Sequence, residues 1–263
     1  MWHMTAIRRL ACGAGLLGAL LRPGWAEPAR AAYASVPAGT IASVLSGGSK
    51  DNAPTAVPAF AMRERPVTVA EFELFTTAHP EWRRDRVLAV FADGNYLRMP
   101  QGQAAPSPEQ AITNVSWFAA QAYCESEQAR LPTWYEWEYV AAADGLHADA
   151  RKDPAWRAQI LGWYSQPASK DQLRVGGTPN FYGVQNMHGL IWEWVDDFNA
   201  LLISADSRNQ GDPDQLQYCG AGAISLQDRE NFAILMRVAL LSSLSGSDST
   251  KDLGFRCARA AAQ

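Results

Sequence analysis

Sulfur and imidazole are scarce in this chain, which has four cysteines and four histidines among 263 residues. The scarcity excludes much. No Cys-x-x-Cys occurs, and neither His-Glu-x-x-His, Gly-x-Ser-x-Gly nor a phosphate-cradling glycine loop is present, so the usual signatures of zinc proteases, serine hydrolases and nucleotide enzymes are missing. Basic excess is also lacking: Lys and Arg number 23 against 27 Asp and Glu, a formal net charge of −4. That balance argues against a nucleic-acid or anionic-membrane partner and suits a small ligand, a protein or peptide partner, or a cation. The sole long apolar run, Leu10 to Leu21, is about a dozen residues, short of the roughly 20 that span a bilayer.

That run sits where a secretory signal belongs. Arg8 and Arg9 precede it, and Pro23 and the small-x-small triplet Gly24-Trp25-Ala26 follow, the order of a cleavable leader. Residues 1–26 are therefore expected to be a signal peptide, with a cut after Ala26 or Ala34, and the product to be periplasmic or secreted without a stable membrane anchor. Three arginines and no acids leave with the segment, which takes the net charge from −4 to −7. Cys124, Cys219 and Cys257 stay behind. In an oxidising compartment their number predicts one disulfide and one leftover thiol.

Residues 27–56 are rich in Ala, Gly, Ser and Pro and read as a flexible lead into a domain over 57–263, with the fold proper starting near Val36. Thr68 is placed to cap a helix that turns Phe72 and Phe75 to one side and stops before Pro80. A second helix is predicted from about Trp117 to Gln128, capped by Asn114 or Ser116. Thr133-x-x-Glu136 is a capping box and opens a third, carrying Trp137, Val140 and Ala141. Between 146 and 186, prolines and glycines break any period, which predicts loop. Short strands are expected near Leu190–Val195, Gly220–Ile224, Ala233–Leu241 and Gly254–Ala258. The sum is a single α+β domain, loop-rich, whose core draws on eight tryptophans.

The segments Asn114-Val-Ser-Trp117, Ala122-Tyr-Cys124, Arg130-Leu-Pro-Thr133 and Glu136-Trp-Glu-Tyr139 closely resemble the signature of the formylglycine-generating-enzyme, or sulfatase-modifying-factor, family. Further matches keep the family's order: Val36-Pro-Ala-Gly-Thr40, Pro66-Val-Thr68, Asn180, Tyr182-Gly183, Met187, Gly189, Trp192-Glu-Trp194 and Leu253-Gly-Phe-Arg-Cys257. The resemblance implies a formylglycine-generating-enzyme-like variant of the C-type-lectin-like fold, low in regular secondary structure. It also implies that Cys124 pairs with Cys257, leaving Cys219 as the free thiol.

The resemblance further implies two metal sites. Calcium would use Glu193, in a turn that also holds Asp196 and Asp197, although Leu190 stands where the family has asparagine. Copper would need two cysteines in the strand after a Gly-Gly-Ser element, because soft thiolates select copper(I). Here that strand is Cys219 to Glu230, and the two thiol positions fall on Ser225 and Glu230 in one register or Asp228 and Ala233 in the other. Neither register supplies sulfur, so formylglycine formation is not expected. Candidate catalytic residues of this polar cleft are Cys219, Ser225, Arg229, Glu230 and Arg237, with Cys219 also a candidate soft ligand for copper or iron. Trp194 and His188 are candidate substrate contacts. Arg130 and Glu138 are expected to meet as an internal ion pair. A three-histidine iron site would require His79, His147 and His188 to converge.

A narrower likeness lies in Trp194-Val-Asp-Asp-Phe-Asn199, Asp206-Ser-Arg208, Cys219-Gly-Ala-Gly-Ala223, Met236-Arg237 and Ser242-Ser-Leu244. This run resembles the branch that accompanies copper nitrite reductases in denitrifying bacteria, the NirV type. It implies a role in maturing or supporting a periplasmic copper enzyme. Two other readings stay open: an oxidative enzyme of the pyoverdine-maturation type, and a metal-free module presenting Trp194 and its neighbouring loops to a peptide or sugar.

Overall fold

Capping chemistry sets the helices in a computed structural model that describes residues 31–43, 45, 54–98, 105–165, 173–201 and 232–261, together with Met1. Helix α1, Val69–Ala78, opens on Thr68, whose hydroxyl accepts from the Glu71 amide while the Glu71 carboxylate accepts from the Thr68 amide. Two orphan donors of the first turn are thereby satisfied. Phe72 and Phe75 point inward, and the helix ends before Pro80. Ser116 caps α2, Trp117–Ser126. The Thr133–Glu136 box caps α3, Trp134–Ala141.

Helix α4, Pro154–Tyr164, lies inside the stretch expected to be loop. Its signal is short: Asp153 accepts from the Ala155 amide at 2.8 Å, and proline occupies the first helical position, where a missing N–H does no harm. A second difference concerns Ala233–Leu241, expected as strand, which forms most of helix α5, Phe232–Ser242. Leu and Met fill it beside the β-branched residues, and Ile234, Val238 and Leu241 share its buried side at helical spacing.

Strands are few and short. β1 (Tyr33–Val36), β4 (Phe60–Arg63) and β7 (Ala258–Ala260) form an antiparallel sheet in the order β1-β4-β7, with Phe60 opposite both Val36 and Ala260. β2 (Gly39–Ile41) pairs antiparallel with β3 (Thr55–Val57), and β5 (Trp192–Glu193) pairs parallel with β6 (Leu253–Gly254). β1, β2 and the start of β3 fall within 27–56, the segment expected to lead into the domain. Contacts divide the chain into Met1–Arg30 and Ala31–Gln263, and every element named here belongs to the second unit. Among the described residues no helix is long and apolar enough to cross a membrane.

The core is aromatic. Trp134, Trp137 and Trp194 are wholly buried with Phe60, Phe72 and Phe255, and Phe72, Phe75, Tyr123 and Phe255 meet at 5.3–6.1 Å, Phe72 stacked on Tyr123 and the other pairs edge-on or tilted. Cys124 on α2 is bonded to Cys257 just before β7, tying a helix to the central sheet. Buried Arg63 of β4 is held by Glu71 and by the Tyr123 hydroxyl at 3.1 Å, so the sheet and two helices also share a polar fastening.

Candidate functional site

The short β5–β6 ladder buries Glu193 completely. Gly254 is indispensable opposite it: a β-carbon there would strike the Ile112 carbonyl oxygen and lie 2.8 Å from the Ile191 methyl. Because no side chain intervenes, the chain that runs on from β6 to Arg256 approaches closely. Arg256 Nε and Nη2 donate to both Glu193 oxygens at 2.8–3.1 Å, and both side chains are completely buried. Trp137 Nε1 adds a third partner at 2.8 Å. Such charge-assisted, bidentate pairing is strong and directional.

These contacts use both carboxylate oxygens. The arrangement is that of a closed ion pair rather than of a ligand turned towards a cation, so Glu193 does not fit the calcium role that the resemblance implies. The neighbouring Asp197 is spent on architecture too. Asp197 accepts from the Trp134 amide at 2.7 Å, an added cap for α3, and burial holds its carboxyl above the usual carboxylate range. The Asp196 amide donates to the Pro132 carbonyl.

Arg237 of α5 lies against this pair. Its guanidinium carbon sits 3.6 Å from the Trp137 ring centroid, and Nη2 donates to the Glu193 main-chain oxygen. Nε has no hydrogen-bond partner, although the side chain is only 1% exposed. Burial pulls the guanidinium down from 12.5 to about 10, so it remains protonated at neutral pH.

His188 closes the other side. Its ring meets Trp137, Trp156 and Tyr164 edge-on at 5.7–6.2 Å. Nε2 lies 2.8 Å from the Ala141 carbonyl oxygen, which can only accept, so Nε2 carries the proton and Nδ1 accepts from the Tyr164 hydroxyl at 3.3 Å. Burial lowers the imidazole from 6.5 to about 4 and raises the Tyr164 phenol to about 12. Both groups are neutral at pH 7. Tyr164 also stacks on Trp192, with centroids 4.9 Å apart. The backbone beside His188 is fixed by Gly189 at φ +80°, where a β-carbon would lie 2.9 Å from the Trp163 ring.

Of the residues singled out in the sequence, Glu193, Arg237 and His188 converge on this cluster, and Trp194 does not. Trp194 is wholly buried, its Nε1 donating to the Val115 carbonyl at 2.9 Å and its ring packed on Phe198. It is a core residue, not one presented on a loop. Cys219, Ser225, Asp228, Arg229 and Glu230 lie outside the described residues. Arg130 meets Glu136 through two contacts of 2.6 Å rather than Glu138. Glu138, on the opposite side of α3, accepts instead from Trp134 Nε1 and Ser43, with Arg151 at 3.8 Å. His79, His147 and His188 do not gather: among the described residues no three His, Cys, Asp or Glu side chains are placed to share a metal ion. Tyr164 and Trp156 carried no signal of their own, because α4 itself was not foreseen.

Residues 26–261 match the model of the sulfatase-modifying factor enzyme 1-like domain, and the chain belongs to that family. Its core is the loop-rich α+β fold of formylglycine-generating-enzyme-like proteins. It is similar to the formylglycine-generating enzyme of Streptomyces coelicolor, with 31% identity over 190 residues that cover 63% of this chain and 58% of that enzyme. It is also similar to hercynine oxygenase of Mycolicibacterium smegmatis, with 30% identity over 162 residues, 53% of this chain and 37% of that protein. The chain thus spans little more than half the length of the first relative and less of the second. Among solved structures, that of PvdO from Pseudomonas aeruginosa aligns over 86% of this chain and 93% of its own, at 19% identity and a TM-score of 0.44.

Proposed function

We propose that this chain is an exported accessory protein built on the family's domain, that it supports a periplasmic copper enzyme of the nitrite reductase kind, and that it does not itself generate formylglycine. One observation carries the reading. In the sequence, the segment from Cys219 to Ala233 offers Ser225 and Glu230, or Asp228 and Ala233, at the two positions where formylglycine generators grip copper between two thiolates. Hard oxygen donors do not replace soft sulfur for copper(I). The NirV-type run from Trp194 to Leu244 supports the partner class, and the Arg8–Ala26 leader supports export.

The test is isolation of the tagged chain from the envelope of a denitrifying host, with identification of what co-purifies and of the reductase's copper content in a deletion strain. Co-isolation of the reductase, and a copper-poor reductase without this chain, support the reading. A fully copper-loaded, active reductase in the deletion strain overturns it.

The likeness to hercynine oxygenase favours a second reading, an oxidative modifying enzyme, with Cys219 as a thiolate ligand to copper or iron. On that reading the purified protein retains one of these metals stoichiometrically, and Cys219→Ala loses it. Capture of a peptide or sugar without any metal would instead mark a binding module.

A further inference from the structure

We infer that Arg237 anchors a binding site for a carboxylate carried on a flat, aromatic body, with Tyr164 and Trp192 as its stacking wall. The inference rests on charge and geometry in the cluster around Glu193. Glu193 acts electrostatically on Arg237, and its carboxylate is fully engaged by Arg256 and Trp137. Among the described residues two buried guanidinium groups therefore meet at a single carboxylate, which leaves Arg237 without an acid of its own. Among the described residues no acid lies within ion-pair distance of it, and its one hydrogen bond is to a main-chain carbonyl. A buried cation so placed favours an anion.

The chemistry of the vacant donor narrows the ligand. Nε is buried and unpaired, and a guanidinium edge matches the planar, two-oxygen geometry of a carboxylate. Packing of α4 against α5 brings Tyr164 to the same cluster, where its phenol interacts electrostatically with Arg237. The stacked Tyr164–Trp192 pair supplies a flat apolar surface, which suits an aromatic body. Neutral His188 adds no competing negative charge. Tyr164, His188 and Trp192 are only partly buried and Gly189 is exposed, so the edge of the cluster reaches solvent.

The experiment titrates the intact chain with benzoate and, in parallel, with benzyl alcohol, its neutral counterpart of similar shape, following tryptophan fluorescence and heat. Saturable benzoate binding is expected, with no saturable response to the alcohol. Arg237→Met keeps much of the side-chain volume and the packing on Trp137 and should weaken benzoate by roughly tenfold or more, the equivalent of one charged hydrogen bond. Should that variant fail to fold, Trp192→Leu, which leaves the guanidinium in place, is expected to weaken benzoate several-fold while leaving acetate unaffected. Absence of saturable benzoate binding by the wild-type chain overturns the inference. So does unchanged affinity in a folded Arg237→Met or Trp192→Leu protein.

Discussion

Arg256 clasps Glu193 through Nε and Nη2 at 2.8–3.1 Å with neither side chain reaching solvent. The pair joins β5 to the chain just before β7, and Trp137 locks it to α3. Removing one partner leaves an uncompensated buried charge, which costs about 3–5 kcal/mol. Glu193→Leu is therefore expected to lose that much in a denaturant titration, whereas Glu193→Leu combined with Arg256→Met should recover a good part of it. A single variant as stable as wild type would contradict this account of the pair.

The bond between Cys124 and Cys257 closes a loop with a sequence separation of 133. On the chain-entropy view such closure is worth roughly 4–5 kcal/mol. Cys124→Ser should lower the melting midpoint markedly, while Cys219→Ser should leave it nearly unchanged. Equal losses in the two melts would contradict the division into staple and free thiol.

His188 links pH to stability. Its folded value, about 4, lies below its ordinary 6.5 because burial disfavours the imidazolium. Between these values the unfolded chain binds a proton that the folded chain does not, so this residue makes stability fall as pH drops from about 6.5 to 4. Above that window its effect is absent, and below it constant. His188→Gln has nothing to titrate, so the stability difference between variant and wild type should shift in favour of the variant across that interval. Parallel profiles from pH 7 to 4 would contradict it.

Gly254 has a purely steric duty. With the Ile112 carbonyl and the Ile191 methyl against its α-carbon, Gly254→Ala must push β6 away from its neighbours and disturb the Arg256 contact. A loss of about 1–3 kcal/mol or more is expected from such overpacking, read by chemical denaturation. An alanine variant within experimental error of wild type would show that the close approach is dispensable.

Much of the architecture was legible because the relevant physics is local. Thr68 and Thr133, each with glutamate three residues on, announce their helices, and the ordered motifs from Val36 to Cys257 announce the family. Other elements were missed. Ala233–Leu241 is helical where a strand was expected, yet seven of its nine residues are Ala, Leu, Met or Arg, all strong helix formers, and Ile234, Val238 and Leu241 share one face at helical spacing. Helix α4 was hidden among prolines, one of which starts it. At the site, Glu193 and Arg237 were visible as polar residues in matched motifs, but the seizure of Glu193 by Arg256, 63 residues away, could not be read from either segment. Likewise Arg130 had two glutamates within reach on α3, and helix phase selected Glu136.

On the proposed function, this family member does not generate formylglycine. The most direct test of this is to incubate the purified chain, supplied with copper(I), oxygen and a thiol reductant, with a sulfatase-type cysteine peptide and to measure the peptide's mass. An unchanged cysteine peptide is expected. Conversion of that cysteine to its aldehyde would contradict it.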